Sequence, residues 1–172
     1  MKKPFTLAQI NSLSQEDFVC VIGPVFEDSP WIADATWPKR PFKSVDALHG
    51  ALCKTVQTSK EDKKVDLIRA HPDLVGRAAL AGTLTPASTS EQAAAGLDNL
   101  TADEINLFQK LNQSYREKFG FPFVICARLN KKEAILKGFE ARLEHPRKEE
   151  IKTALAEIEK IAYLRLQDII ES

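Results

Sequence analysis

His71 is the residue of this sequence best placed to move protons. It follows the helical segment at residues 65–70 (VDLIRA), and Pro72 after it disfavours helical geometry, so the helix should end there and display the imidazole. An imidazole changes charge near neutral pH and can act as a general acid or base. A histidine at a helix end can also simply bind the last carbonyl groups of the helix, and the sequence leaves both roles open.

Glu91 is a candidate carboxylate partner for an imidazole. Ser88 and Glu91 have the spacing of a capping box, in which the serine begins a helix and the carboxylate accepts a hydrogen bond from the serine's backbone N–H. The pattern predicts a helix that begins at Ser88, and residues 80–90 (LAGTLTPASTS) are small, polar and typical of a loop. Capping explains Glu91 by itself, although a carboxylate fixed in a first helical turn could also serve a neighbouring site.

Arg165 lies inside an apolar stripe of the predicted last helix. At about 100° per residue, the stripe is formed by Ile151, Leu155, Ile158, Ala162 and Ile169. An arginine in this position points inward and stays charged, so it needs strong hydrogen-bond acceptors. The partner could be an internal carboxylate or a bound anion, and the sequence favours neither.

Cys126 raises a further chemical possibility, because Arg128 follows it closely and a neighbouring cation can lower the pKa of a thiol. Its neighbours Val124 and Ile125 favour a core thiol over a nucleophile. The three cysteines, Cys20, Cys53 and Cys126, match no zinc motif and leave an odd thiol if two pair, which is typical of a reducing compartment.

Composition excludes several classes of partner. The chain has 24 lysines and arginines against 24 aspartates and glutamates, so it carries no overall charge that would attract nucleic acid or anionic lipid. It has no apolar run long enough to span a membrane, no signal sequence at its start and no peroxisomal tripeptide at its end. A cytoplasmic protein with a small-molecule or protein partner is expected.

The elements that would position these side chains are mainly helices. Helix starts are predicted at Ser14, Ser59, Thr101 and Asn130, each followed three residues later by an acidic residue. The helix from Thr101 should run for roughly four turns to Gly120, and a long last helix should follow Pro146 to the end of the chain. The apolar residues 121–127 (FPFVICA) favour extended backbone, but a lone strand has nothing to pair with. We therefore predict an all-α fold, a single compact multi-helix domain over residues 1–172 with a buried extended segment near 121–127.

Several short motifs occur along the chain in an order and spacing that are specific as a set. They are Ser29-Pro30-Trp31-Ile32, Arg40-Pro41-Phe42, Ala70-His71-Pro72-Asp73-Leu74, Ser88-x-x-Glu91-Gln92, Leu111-Asn112-x-x-Tyr115 and the stretch Phe119 to Cys126, followed by the late inward arginine. In these motifs the chain resembles the OHCU (2-oxo-4-hydroxy-4-carboxy-5-ureidoimidazoline) decarboxylase family of urate catabolism, and the resemblance covers essentially the whole chain.

The resemblance implies an all-helical homodimer that converts OHCU to (S)-allantoin without a metal or other cofactor. Carried over by motif, the catalytic residues are His71 and Glu91. Substrate contacts, largely through backbone groups, are implied for Pro72, Ser88, Thr89, Ser90, Glu91, Gln92, Phe123, Val124, Ile125, Cys126 and Ala127, and through the side chain for Arg165.

Two other functions remain possible from the residues alone. A helical protein-interaction module would use the caps and the inward arginine only for structure, and it should expose an apolar groove. A thiol hydrolase would use Cys126. The decarboxylase should instead have an enclosed polar pocket that joins His71, Glu91 and Arg165.

Overall fold

The fold of the described residues is all-α, as predicted. The computed structural model describes residues 4–171, apart from the side chain of Ala78. The helices are α1 (Leu7–Ser12), α2 (Gln15–Ile22), α3 (Trp31–Thr36), α4 (Val45–Gln57), α5 (Glu61–Ala70), α6 (Arg77–Leu80), α7 (Pro86–Ala94), α8 (Ala102–Phe119), α9 (Lys132–Leu143) and α10 (Arg147–Ile169). Short 3-10 helices lie at Gly23–Val25, Trp37–Lys39 and Ala127–Leu129. Within residues 4–171, extended pairing is limited to one isolated bridge between Phe5 and Ile170.

The chain divides into two compact units. The first unit contains the described residues 4–70 and 159–171, and the second contains residues 71–158. The single domain over residues 1–172 stays a prediction, and residues 1–3 and Ser172 lie outside the described part. No helix in that part is both long enough and apolar enough to cross a membrane.

In the first unit, α3 packs against α2 and α4. The Ser14 prediction is confirmed, because its hydroxyl accepts a hydrogen bond from the backbone N–H of Asp17 at 3.1 Å and begins α2. The Ser59 prediction is wrong. Its hydroxyl donates to the carbonyl of Val56 at 2.7 Å, at the end of α4, and α5 begins only at Glu61. The core of this unit includes Ile10, Phe18, Ile22, Ile32, Leu48 and Leu52.

In the second unit, α8 is the best-predicted helix. Thr101 and Glu104 form both hydrogen bonds of a capping box at its start, and Gly120 ends it in the left-handed conformation with φ 77°. Its 18 residues make five turns, one more than expected. The Asn130 prediction is wrong by one residue, because α9 follows Lys131 and the Asn130 amide donates instead to the carbonyl of Cys126 at 2.9 Å.

The segment at residues 121–127 is buried and forms no strand, as predicted. Only Ile125 is partly exposed, and Ala127 already begins a 3-10 helix. The ring of Phe123 stacks on Phe139 of α9 with centroids 3.8 Å apart and meets Tyr115 of α8 edge-on at 5.3 Å. Aromatic packing therefore takes the place of strand pairing and holds this segment between two helices of its unit.

Candidate active site

His71 follows directly after the last residue of α5, so the predicted helix end is confirmed. Its side chain is buried, with 6 % of its surface exposed, rather than displayed to solvent. The residue takes part in at least one polar or ring interaction. Its Nε2 atom, however, forms no hydrogen bond within the described part of the chain. An imidazole nitrogen held inside the protein in this way has the chemistry to exchange a proton with a bound molecule.

The loop after His71 is tightly fixed. Asn112 of α8 donates to the carbonyl of Leu74 at 2.8 Å. Val75 has φ 51°, a conformation that is strained for a β-branched residue. A side chain at Gly76 would come within 2.6 Å of Asp73 Cβ, so the turn needs glycine there. Several neighbouring contacts must therefore outweigh the strain of this loop.

Helix α7 supplies one of these contacts through Gln92. The side-chain oxygen of Gln92 accepts a hydrogen bond from the N–H of Val75 at 3.1 Å, and its nitrogen donates to the carbonyl of Asp73 at 3.4 Å. Gln92 is itself buried. The helix that carries Glu91 is thus bound to the loop that follows His71, because Glu91 and Gln92 are adjacent.

The predicted start of α7 is wrong, and so is the capping box of Ser88 and Glu91. The helix begins at Pro86, after Thr85, whose hydroxyl accepts a hydrogen bond from the N–H of Ser88 at 3.2 Å. Threonine followed by proline is a favoured helix start, since proline lacks the N–H that would remain unpaired there. Glu91 consequently lies in the second turn of α7 and not in the first turn, where a capping-box carboxylate would lie. The predicted loop at residues 80–90 is correspondingly shorter, because α6 ends at Leu80 and α7 includes residues 86–90.

The segment at residues 123–127 approaches the same helix. Its last residue begins the 3-10 helix Ala127–Leu129, which packs against α7. Glu157 accepts a hydrogen bond from the N–H of Cys126 at 3.0 Å. Cys126 is buried with 1 % exposure, which agrees with a core thiol. The second unit therefore brings together three of the predicted regions: the loop after His71, helix α7 with residues 88–92, and the segment at 123–127.

Arg165 lies in the first unit, and its inward orientation is confirmed by an exposure of 6 %. Its Nη1 atom donates to Oε2 of Glu27 at 2.7 Å and approaches the carbonyl of Pro24 at 3.4 Å. Glu27 is equally buried, with 5 % exposure. Of the two partners left open by the sequence, the structure contains the internal carboxylate. Glu27 was not identified from the sequence because it follows no periodic pattern and lies far from Arg165 in the chain.

A second buried arginine, Arg142, was also not identified from the sequence. Arg142 of α9 is 7 % exposed and donates to Oε1 of Glu150 at 2.7 Å, and Glu150 is completely buried. Glu150 also accepts a hydrogen bond from the hydroxyl of Tyr115. Burial, followed by this bond, raises the pKa of Tyr115. The signal was present in the sequence, because Arg142 follows Ile135 and Phe139 at helical spacing, as Arg165 follows its own stripe.

Two cavities lie within the second unit. An open cleft of about 1070 Å³ is bordered by Asp73, Asn112 and Arg116, and Arg116 forms an ion pair with Asp73 at 2.9 Å. A smaller cavity of about 300 Å³ is lined in part by Thr89 and Gln92, two predicted substrate contacts. Neither of these two cavities is lined by His71 or Glu91, and the pocket joining them to Arg165 stays a prediction.

Fold and site together describe an all-α protein with a buried histidine and a glutamate on neighbouring, interlocked elements. A family model for OHCU decarboxylase matches residues 11–167. The chain belongs to the OHCU decarboxylase family. The large exposed apolar residues, Leu80, Leu107 and Leu129, lie on separate elements of the described part, and family membership favours the enzyme over an interaction module.

Curated relatives extend over nearly the whole chain. The 2-oxo-4-hydroxy-4-carboxy-5-ureidoimidazoline decarboxylase of Halalkalicoccus jeotgali is 42 % identical over 164 residues, which is 95 % of this chain and 91 % of that protein. The enzyme of the same name from Amia calva is 42 % identical over 96 % of this chain and 94 % of its own. A uric acid degradation bifunctional protein from Bacillus is 40 % identical over 95 % of this chain, which corresponds to 32 % of that protein.

Solved structures agree with the fold. A crystal structure of (S)-allantoin synthase superposes with a TM-score of 0.80 at 27 % identity, covering 98 % of this chain but 55 % of the other. A crystal structure of OHCU decarboxylase in the presence of (S)-allantoin superposes with a TM-score of 0.68 at 23 % identity, covering 91 % of this chain and 97 % of the other.

Proposed function

We propose that this protein decarboxylates OHCU to (S)-allantoin in urate breakdown. The observation that carries the proposal is the 42 % identity to an OHCU decarboxylase across 95 % of the chain. The relative named for uric acid degradation supports the metabolic setting, and the structural similarity to (S)-allantoin synthase supports the product.

The reaction suits a protein that supplies positioned acid–base groups. The carboxylate of OHCU is attached to a carbon next to a ring C=N. When the C–CO₂⁻ bond breaks and CO₂ leaves, its electron pair forms a C=C bond and the C=N electrons move to nitrogen. The nitrogen takes up a proton, and the enol-like intermediate then loses its hydroxyl proton and receives a proton on the neighbouring carbon, so that one proton is consumed overall. Because the substrate accepts these electrons itself, we propose that no metal or organic cofactor takes part.

We propose His71 and Glu91 as the acid–base pair. His71 would take the hydroxyl proton and help to deliver a proton to one face of the intermediate, which would give a single enantiomer. Glu91 would fix the imidazole tautomer and raise its basicity, as an aspartate does in hydrolase triads. The hydrogen bonds of Gln92 to the loop after His71 support this assignment, because they tie the two elements together. The substrate contacts of Pro72, of residues 88–92 and of residues 123–127 belong to the same proposal.

We assign Arg165 to the ring or ureido carbonyl oxygens of the substrate, where negative charge grows as the C=N accepts electrons. An arginine on the leaving carboxylate would stabilise the ground state and oppose the loss of charge as CO₂. Its ion pair with Glu27 would hold the guanidinium in a fixed orientation for this task.

We also propose that the active protein is a cytoplasmic homodimer. The resemblance to a homodimeric family supports the assembly, and the balanced charge supports a partner other than nucleic acid or membrane. Light scattering coupled to gel filtration should give twice the chain mass of 19.2 kDa.

A coupled assay tests the function. Urate oxidase and hydroxyisourate hydrolase generate OHCU from urate, and circular dichroism then follows the appearance of optically active allantoin. Adding this protein should accelerate the signal of the S enantiomer. An unchanged rate, or a racemic product, would refute the proposed function.

A further inference from the structure

We propose that Arg142 is a positioning residue for this reaction, because with Glu150 it holds the main chain of the segment at residues 123–127 in place. The inference rests on the proposed function, in which this segment contacts the substrate. Arg142 itself touches no reacting atom in this proposal. It acts through Val124.

Arg142 makes several contacts at once. Its Nε atom donates to Oε1 of Glu150 at 2.7 Å, and its Nη1 atom donates to the carbonyl of Val124 at 2.6 Å. The guanidinium carbon lies 4.3 Å from the centre of the Phe123 ring, a cation–π distance. The rigid fork of the guanidinium thereby fixes both the backbone and the side chain of neighbouring residues in the segment.

Neighbouring side chains give the carboxylate of the buried Arg142–Glu150 ion pair further hydrogen bonds. Glu150 accepts additional hydrogen bonds from the hydroxyl of Tyr115 and from Nδ1 of His145, the latter at 3.1 Å. Burying two charges is so unfavourable that well-packed apolar residues of similar volume are often at least as stable. Overall stability alone is thus a weak reason for this pair. A contact that fixes the position of Val124 is a stronger one, because an apolar replacement could not hold a carbonyl group.

The segment is anchored a second time, two residues further on. Glu157 accepts the N–H of Cys126 at 3.0 Å, and the carbonyl of Cys126 accepts hydrogen bonds from Asn130 and from the N–H of Leu129. The two anchors fix Val124 and Cys126, and with them the residues on either side.

Helix α7 connects the anchored segment to the proposed acid–base pair. The 3-10 helix that begins at Ala127 packs against α7, and α7 carries Glu91. Losing the Val124 anchor should therefore shift both the substrate contacts and the carboxylate of Glu91. Misplacement of reacting groups by about 1 Å can cost about 100-fold in rate.

The test compares three variants with the parent. Arg142→Lys keeps a positive charge beside Glu150. A lysine lacks the forked guanidinium that donates to Glu150 and to the carbonyl of Val124 at the same time. The double variant Arg142→Met with Glu150→Gln removes both charges together and leaves no unpaired charge buried, so it keeps the test usable if Arg142→Lys fails to fold. Arg69→Met is the control, since Arg69 is an exposed arginine that pairs with Asp66 on the surface of α5.

We expect the Arg142→Lys and double variants to fold, to lose about 10- to 100-fold in kcat, and to change KM less. The enantiomeric excess of the allantoin should fall, because a loosened site protonates both faces. Arg69→Met should match the parent. Folded variants with the parent's kcat and enantiomeric excess would overturn the proposal, since a purely structural role leaves both unchanged.

Amide hydrogen exchange separates this proposal from the proposed function. Exchange at residues 123–127 should accelerate in both Arg142 variants, whatever substrate the protein uses. Unchanged exchange there would overturn the positioning role, whereas an inactive parent with accelerated exchange in its variants would overturn only the decarboxylase function.

Discussion

The side-chain oxygen of Gln92 accepts a hydrogen bond from the backbone N–H of Val75 at 3.1 Å. Val75 is in a left-handed conformation that disfavours its β-branched side chain. The contact joins α7 to the strained loop after His71, and it gives Gln92 a structural task besides any contact with substrate.

Gln92→Leu should lower both stability and activity. The substitution introduces an apolar side chain of similar size and leaves the N–H of Val75 buried without its acceptor, which costs about 1–3 kcal/mol. Thermal melting measures the loss, and the coupled assay should show a reduced kcat because the loop after His71 loosens. Gln113→Leu, on the exposed side of α8, is the matched control and should be nearly neutral. Equal effects of the two substitutions would contradict the role of Gln92.

His71→Asn should abolish most activity and leave the fold intact. General acid–base groups typically contribute 10²–10⁴-fold to a rate, so a loss of about that size in kcat is expected. Helical content by circular dichroism and the melting temperature should stay close to those of the parent. A folded variant with near-normal turnover would remove His71 from the mechanism.

Glu91→Gln isolates the carboxylate charge. Glutamine keeps the size and shape of the glutamate side chain at this partly exposed position in the second turn of α7, so the melting temperature should change far less than the rate. The rate should fall strongly, because the neutral amide of glutamine cannot stabilise a protonated imidazole as a carboxylate does. Full activity in this variant would show that Glu91 is not the partner of His71.

The sequence predicted well those features that depend on hydrogen bonds between residues close together in the chain. The caps at Ser14 and Thr101 and the left-handed Gly120 were correct because each uses groups within a few residues. The start of α7 was wrong because Thr85 and Pro86 formed a better helix start three residues before Ser88. Glu27 could not be predicted as the partner of Arg165, since nothing local in one sequence marks two residues that meet across 138 positions.

Cys53 should make the protein sensitive to alkaline pH. Burial, and then the charge of Glu159, raise the pKa of its thiol from 9.0 to about 12. The folded state therefore binds this proton more tightly than the unfolded state. The contribution of this thiol to the free energy of unfolding is complete below pH 9 and is lost as the pH rises towards 12.

Melting temperatures between pH 7 and pH 11 test this effect. The melting temperature of Cys53→Ala should fall less steeply with pH than that of the parent, whatever its value at pH 7. Cys20→Ala is the control, because Cys20 is exposed, and it should keep the parent's slope. A Cys53→Ala slope equal to that of the parent would contradict the titration of this thiol.

The ion pair of Arg165 with Glu27 changes how the role of the arginine must be tested. Arg165→Met alone leaves Glu27 buried without its cation, which costs about 3–5 kcal/mol, so loss of function could reflect loss of fold. Adding Glu27→Gln removes the unpaired charge and should restore most of the melting temperature. The folded double variant then reports on substrate contacts.

Allantoin keeps the ring and ureido carbonyl groups of the substrate but lacks its carboxylate, so it separates two roles of Arg165. If the arginine stabilises charge on the carbonyl oxygens, the double variant should bind allantoin more weakly and have a lower kcat, because that charge grows in the transition state. Glu27→Gln alone keeps the arginine and should bind allantoin more tightly than the double variant does. Calorimetric titration measures the affinities, and the coupled assay measures kcat. Unchanged affinity for allantoin, with weaker binding only of analogues that carry a carboxylate, would instead identify Arg165 as a clamp for the leaving group.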